Sequence, residues 1–271
     1  MKIFRAASPL VLFLLPLCLA LSCASMSGPR DRGGFYLVLA VKADAAQLDQ
    51  NIAHTMAVIQ RRCDSLAIYC NAQRESGYNS NRIRLRVSTS LDRTRVKNVL
   101  LSRGLELRAV ISPPSPSPIE SYDTQAEAAA AAARTGGEAM HVAENEQNEN
   151  KHLTGKFVVL KREPIITGED ILDAGVATMR GRDEDYQITF RVKPDGAERF
   201  GSWTGANINN YLAIVWNGDV RSIAYIKSRI TDSGEIMGRF TKQQAEDIAL
   251  VLKSGNLPAP VETLAEGTYK P

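Results

Sequence analysis

An α+β fold, opening on a ferredoxin-like βαββαβ base and followed by a smaller α+β subdomain, is predicted by three features of the sequence. Apolar and alternating stretches interleave with helical-period stretches in the order strand, helix, strand, strand, helix, strand over residues 35–111. A proline-rich linker, Ser112–Pro118 (SPPSPSP), then interrupts the pattern and marks a boundary. Beyond it, over residues 119–262, short strands and helices return, with a tight Asn217–Gly218 hairpin turn and a helix opened by a capping box.

At the N-terminus, Lys2 and Arg5 precede an uncharged, mostly apolar stretch from Ala6 to Leu21 that Pro9 and Pro16 interrupt. This is the pattern of a secretory signal over residues 1–22, too short and broken for a comfortable membrane span. Ala20, Leu21, Ser22 and Cys23 place small residues where signal peptidases read, and the cysteine that follows resembles a lipobox. Cleavage before Cys23 with lipid on its sulfur would tether the protein to a membrane. Ala20 stands where that pattern normally has leucine, and the other reading is ordinary cleavage nearby and a soluble periplasmic protein. No later segment reaches transmembrane length without charge. Residues 23–34 read as a polar tether.

Phe35–Val41 (FYLVLAV) is a strand. Asp44–Asp64 is a helix with Leu48, Ile52, Met56 and Ile59 on one stripe, and Ser65–Ala72 fits a buried strand. Gly77–Asn81 is a turn cluster, and Arg82–Val87 alternates with Ile83, Leu85 and Val87 on one side. Ser90 or Asp92 caps a second helix that ends at Gly104, and Leu105–Ile111 is the fourth strand. Cys63 and Cys70 remain after signal removal. On one continuous helix their Cα atoms would lie about 10 Å apart, too far to bridge. A helix ending between them brings a disulfide within range in an oxidising compartment, and two buried thiols are the alternative. His54, His141 and His152 have no ligand spacing to one another or to the cysteines, so no metal and no other cofactor is expected.

After the linker, Asp123 or Thr124 starts an alanine-rich helix that Gly136–Gly137 ends, and Glu144–Lys151 is a solvated polar loop. Phe157–Lys161, Gln187–Val192, Tyr211–Trp216 and Val220–Ile226 are strands, and Pro194–Trp203 is a helix with proline in its first turn. In Gly238–Pro260, Thr241 and Gln244 form the capping box. Ala245, Ile248, Ala249 and Leu252 share an apolar face, Gly255 stops the helix, and Pro258 and Pro260 fix an extended exit. Residues 263–271 read as a tail.

The wording of these segments is similar to the first large periplasmic domain of SecD, the accessory subunit of the bacterial Sec export machine. The carriers are Gly33–Leu37, Ile59–Leu66, Asn81–Ile83, Pro164–Ile171 (PIITGEDI, with Thr167 and Gly168), Ile188–Phe200 and Leu212–Val220 (LAIVWNGDV, with Asn217 and Gly218). Last comes Gly238–Pro260, with Phe240, Thr241, Ala245, Gly255, Leu257, Pro258 and Pro260. Cys63 replaces a small apolar residue of the family pattern, Ala67 its glycine, and the "LPG" after the Arg82 strand is absent. The resemblance implies a ferredoxin-like base, a head subdomain that contacts unfolded, translocating preprotein, and a location on the periplasmic face. It implies Sec translocon subunits as partners. A hinge between base and head is expected at the linker Ser112–Pro118 and the chain near Arg162–Ile166.

Charge and motifs narrow the function classes. The chain carries +3, and without Lys2 and Arg5 it has 31 basic against 30 acidic residues, which gives no case for nucleic acid. No P-loop or G-x-G-x-x-G is present, and the glycines around Ser202 lack the nucleophile-elbow spacing. The expectation is a non-enzymatic, lipid-anchored protein assisting export. The alternative is an envelope lipoprotein serving as an assembly module unrelated to the Sec channel.

Overall fold

The computed structural model describes residues 33–77, 80–143, 151–179 and 182–270. The stretch expected to be a signal, Cys23 and most of the expected tether lie outside these, as do residues 144–150 of the expected polar loop and two positions of the Gly77–Asn81 turn. The elements are β1 (Gly34–Val41), α1 (Leu48–Ser65), β2 (Tyr69–Arg74), β3 (Arg82–Ser88), α2 (Arg93–Leu100), β4 (Leu105–Ala109), α3 (Gln125–Thr135), β5 (Glu138–His141) and β6 (Phe157–Leu160). They continue with β7 (Ile166–Thr167), β8 (Ile171–Met179), β9 (Arg182–Val192), α4 (Pro194–Ala206), β10 (Tyr211–Trp216), β11 (Asp219–Tyr225), β12 (Ser233–Phe240), α5 (Lys242–Ser254) and β13 (Val261–Tyr269).

The first core lies under an antiparallel sheet of order β13-β1-β3-β2. Period-two alternation puts Phe35, Leu37, Leu39 and Val41 of β1 on the same side as Ile83, Leu85 and Val87 of β3. Ile52 and Ile59 of α1 and Val96 and Leu100 of α2 pack onto that side. The fourth strand of the ferredoxin-like order is β13, not Leu105–Ile111. Residues expected to trail off as a tail instead pair along the whole of β1. As an edge strand β13 is mostly exposed, so it lacks the apolar alternation that marks a strand in sequence. Charge guards it: Glu262 meets Lys42 at 2.6 Å, and Glu266 meets Arg93 at 3.4 Å as well as Lys97.

β4 belongs to a second core. It sits in a sheet of order β11-β10-β4-β7, beside a three-stranded sheet β12-β9-β8. Leu105, Leu107, Ile166, Ile188, Phe190, Phe200 and Leu212 bury there with Ala245, Ala249 and Leu252 of α5. The pair β5–β6 and α3 form a smaller layer beside it.

The linker Ser112–Pro118 does not pass from one core to the other. Ser115 N–H donates to the Asn209 carbonyl at 2.8 Å, and the Tyr211 hydroxyl donates to the Ser117 carbonyl at 3.0 Å. Ile165 N–H likewise donates to the Leu107 carbonyl of β4. Both segments expected to form the hinge are thus fastened within the second region. The chain passes between the cores at Leu101–Gly104 and at Gly255–Pro260.

α1 ends at Ser65, and Cys63 and Cys70 are joined by a disulfide across the turn into β2, with Cα atoms 6.1 Å apart. Inside this loop Ala67 has φ of +53°, a left-handed conformation that costs an L-residue other than glycine about 1 kcal/mol. Replacing both cysteines by serine should remove about 2.5 kcal/mol, the closure entropy of so short a loop, read as a lower denaturant midpoint at unchanged slope. A loss under 0.5 kcal/mol would show that the turn holds without its bridge.

Candidate functional site at the junction of the two cores

Three helix ends and three turns converge where the chain crosses between cores. Arg62, in the last turn of α1, is fully buried. Its Nη1 donates to the carbonyls of Val99, Leu100 and Ser102 at 3.1, 2.9 and 2.7 Å. Its Nη2 donates to the Gly255 carbonyl at 2.8 Å and its Nε to the Ser254 hydroxyl at 3.1 Å. These acceptors lie at and just beyond the C-termini of α2 and α5, where carbonyls have no intrahelical donor and a cation is favoured by the helix dipole. Burial pulls the Arg62 guanidinium down to about 9; neighbouring Arg61 lowers it further and Glu169 raises it. At pH 7 it remains a cation shared by two helix ends. Arg61 adds a bond from Nε to the Ser254 carbonyl at 2.9 Å.

Asn256 makes the second fastening. Its Oδ1 accepts from Leu105 N–H and Gly168 N–H, both at 3.2 Å, and its Nδ2 donates to the Leu105 carbonyl at 2.9 Å. A Cβ on Gly104 or Gly168 would come within 2.0 or 2.2 Å of Asn256 Oδ1, so both positions need glycine. Thr167 caps the short turn after Gly168: its hydroxyl accepts from Glu169 N–H at 3.3 Å, and Thr167 N–H donates to Asp170 at 2.8 Å. Glu169 faces α1, 3.4 Å from His54 and 4.0 Å from Arg61.

Asn217 and Gly218 form the hairpin turn with φ of +57° and +89°. Asn217 Oδ1 accepts from the Ser102 hydroxyl at 2.6 Å and from Arg103 N–H at 2.9 Å, docking the β10–β11 hairpin on the first crossing.

α5 serves both cores. Thr241 Oγ1 accepts from Gln244 N–H at 3.2 Å and Gln244 Oε1 from Thr241 N–H at 2.9 Å, so the capping box is complete. Ala245 is buried in the second core and Phe240 packs against it. On α5's other side Asp247 pairs with Arg95 of α2 at 2.8 Å, and this hydrogen bond raises the Arg95 guanidinium above its usual range. Leu257 is buried in the first core, Pro258 is half-buried, and exposed Pro260 accepts from Lys42 N–H at 2.8 Å. Gly238 falls within β12.

The sequence reading missed Arg62 and Asn256 as the polar centres of this junction. Arg62 lies three residues beyond Ile59, on the buried stripe of α1 with Ile52 and Thr55, and a basic residue on an apolar stripe is a usable signal. Asn256 had none, because its partners Leu105 and Gly168 are distant in sequence. Among the described residues no group of three or more His, Cys, Asp or Glu could hold a metal, and no helix is long and apolar enough to cross a membrane.

The model of the SecDF P1 head subdomain family matches residues 141–259. Protein translocase subunit SecD of Koribacter versatilis (strain Ellin345) is 33% identical over 249 residues, covering 90% of this chain and 43% of that protein. SecD of Elusimicrobium minutum (strain Pei191) is 42% identical over 122 residues, 45% of this chain and 25% of that one. The chain therefore spans less than half the length of these relatives. A crystal structure of SecDF in a super-membrane-facing form superposes on 88% of the chain, and on 30% of its own, with TM-score 0.63 and 25% identity. A second, described as a membrane component SecDF that enhances protein export, covers 85% of this chain and 98% of its own at TM-score 0.61; at 24% identity it shows the fold alone. Fold, motif order and relatives agree that the chain is built as the P1 region of SecD/SecDF proteins, with the P1 head subdomain matched over residues 141–259.

Proposed function

We propose that this chain is a non-enzymatic, exported protein that assists Sec-dependent protein export by binding unfolded or translocating polypeptide on its head, tethered to the periplasmic face of a membrane through lipid on Cys23. The head comprises the matched residues 141–259 with β4 and α3 packed onto them, and the base β1 to α2 together with β13. The observation that carries the reading is the match to the P1 head subdomain over residues 141–259, on a chain whose relatives are protein translocase subunits. The outer side of the β8–β9–β12 sheet offers an open depression between Asp173, Gly175, Thr189, Arg191, Ser233 and Glu235. An extended segment can lie there along backbone left uncovered by Gly175. The junction fixes how the head stands on the base, and hence where a bound segment is presented.

The test is binding of the full chain to a permanently unfolded secretory precursor, with export of a reporter followed in cells lacking the protein. Saturable binding that a bulky Gly175→Trp change abolishes, together with slowed export, is the expected result. Stoichiometric co-purification with one folded, non-Sec envelope complex, and no affinity for the unfolded precursor, would replace this reading with that of an assembly module.

A further inference from the structure

The base sheet has two faces of opposite chemistry. On the side away from the core, β3 presents Arg82, Arg84 and Arg86, all exposed and alternating with fully buried Ile83, Leu85 and Val87. Successive arginines on one strand face stand about 6.6 Å apart. Across the ladders they face Ala40, Val38 and Tyr36 of β1, and Asn71 and Gln73 of β2. Beyond β1, β13 places Glu262, Ala265, Gly267 and Tyr269 on the same face. The Arg86 guanidinium lies 4.3 Å from the centroid of the Tyr269 ring. The Tyr36 ring covers Gly267, where a Cβ would come within 2.6 Å of it. Among the described residues two carboxylates reach this face, Glu75 on Arg84 at 2.8 Å and Glu262 on Lys42 at 2.6 Å. Among the described residues the four cations Arg82, Arg84, Arg86 and Lys42 outnumber them.

We propose that this face lies against the anionic phospholipid headgroups of the membrane that holds the chain, with the arginines on lipid phosphates and the two tyrosines at headgroup depth. Guanidinium groups bind phosphate oxygens two at a time, and tyrosines favour the interface because one end is apolar and the other wet. Placement argues the same way. β1 begins at Gly34, at the Arg86–Tyr269 end of the face, and Cys23 lies eleven residues upstream, within about 40 Å even at full extension. A weak electrostatic contact is then enough, because the tether keeps the face concentrated at the surface. The inference rests on the membrane attachment proposed above, not on polypeptide binding by the head.

The full chain, attached to vesicles, would be treated with phenylglyoxal, and modification of Arg82, Arg84 and Arg86 followed by mass spectrometry. Vesicles of phosphatidylcholine would be compared with vesicles containing phosphatidylglycerol. At about fivefold per net positive charge, the face-docked population should rise about twenty-fivefold on anionic vesicles. The three arginines should be protected there, with protection lost at high salt while Arg103 serves as an internal control. In a flotation assay, R82Q/R84Q/R86Q should lose the preference for anionic vesicles at an unchanged melting temperature, and R82K/R84K/R86K should keep most of it. Equal modification on both vesicle types, with the chain still bound to both, sinks the docking face and leaves the attachment standing. A chain released from neutral vesicles but held and protected on anionic ones keeps the face and sinks the Cys23 tether. Protection by soluble polyglutamate and not by phosphatidylglycerol would overturn the proposal in favour of an acidic protein partner.

Discussion

Arg62→Ala should lower the stability of the folded chain by about 4 kcal/mol, and the melting temperature by about 10 °C. The substitution removes one side chain and strands five acceptors: the carbonyls of Val99, Leu100, Ser102 and Gly255, and the Ser254 hydroxyl. An unpaired buried carbonyl costs about 1–3 kcal/mol, and water entering the vacated space recovers part of the total. Arg62→Lys separates charge from shape. A lysine keeps the cation but has one compact ammonium in place of a planar fork, so it cannot serve the ends of α2 and α5 together. It should recover no more than about half of the loss. Arg62→Met restores apolar volume but no donor and should resemble alanine within about 1 kcal/mol. Equilibrium unfolding in urea decides the matter: a loss under 1 kcal/mol for Arg62→Ala would mean that the two helix ends are satisfied without the guanidinium. If the junction sets the angle at which the head stands, the same variants should also slow export in cells, even at temperatures where they remain folded.

What could be read from the sequence follows from how local each cause is. α5 was legible because its cap, its apolar face and its stop all fall within Thr241–Gly255. β3 was legible because Ile83, Leu85 and Val87 alternate with arginines. The Asn217–Gly218 turn declares itself by the two residues that tolerate positive φ. β13 was not legible, because a strand paired on one side only and exposed on most positions carries no burial pattern. Its place beside β1 is decided by Val261–Tyr269 running back along Gly34–Val41, a pairing of the two ends of the chain. β4 looked like the missing fourth strand because LELRAVI is apolar and follows α2. The competition is settled by partners the sequence does not announce, β10 on one side and β7 on the other. The proline-rich segment looked like a linker between bodies for a sound local reason, its stiffness. Yet its hydrogen bonds to Asn209 and Tyr211 put it inside one of them. The candidate site was half legible. Thr167, Gly168, Asn217, Gly218 and Gly255 stood out as turn and cap residues, while Arg62 and Asn256, which tie those turns together, act over 37 to 193 residues of sequence.

Asn256→Ala should cost about 3 kcal/mol, and a double-mutant cycle with Gly168→Ala should show the mechanism. Asn256 is nearly buried and leaves three groups without partners when truncated: Leu105 N–H, Leu105 C=O and Gly168 N–H. Asn256→Asp keeps an acceptor for both N–H groups but sets a second oxygen where Nδ2 donated to the Leu105 carbonyl. It should therefore be no more stable than alanine at pH 7. Gly168 has no positive φ, so the obstacle to a side chain there is the Asn256 amide, whose Oδ1 would lie 2.2 Å from the new Cβ. In the parent Gly168→Ala must displace that amide and should cost about 2–3 kcal/mol. In the Asn256→Ala background the oxygen is gone and the nearest remaining neighbour, the residue 256 backbone nitrogen, stands at 3.2 Å, so the same change should cost under 1 kcal/mol. The two substitutions should thus fall short of additivity by about 1–2 kcal/mol in urea unfolding. Strict additivity would show that Gly168 is held to glycine by something other than the Asn256 side chain. A shortfall of the expected size would locate the fastening between the cores in one amide that spans β4, the turn at Gly168 and the exit of α5.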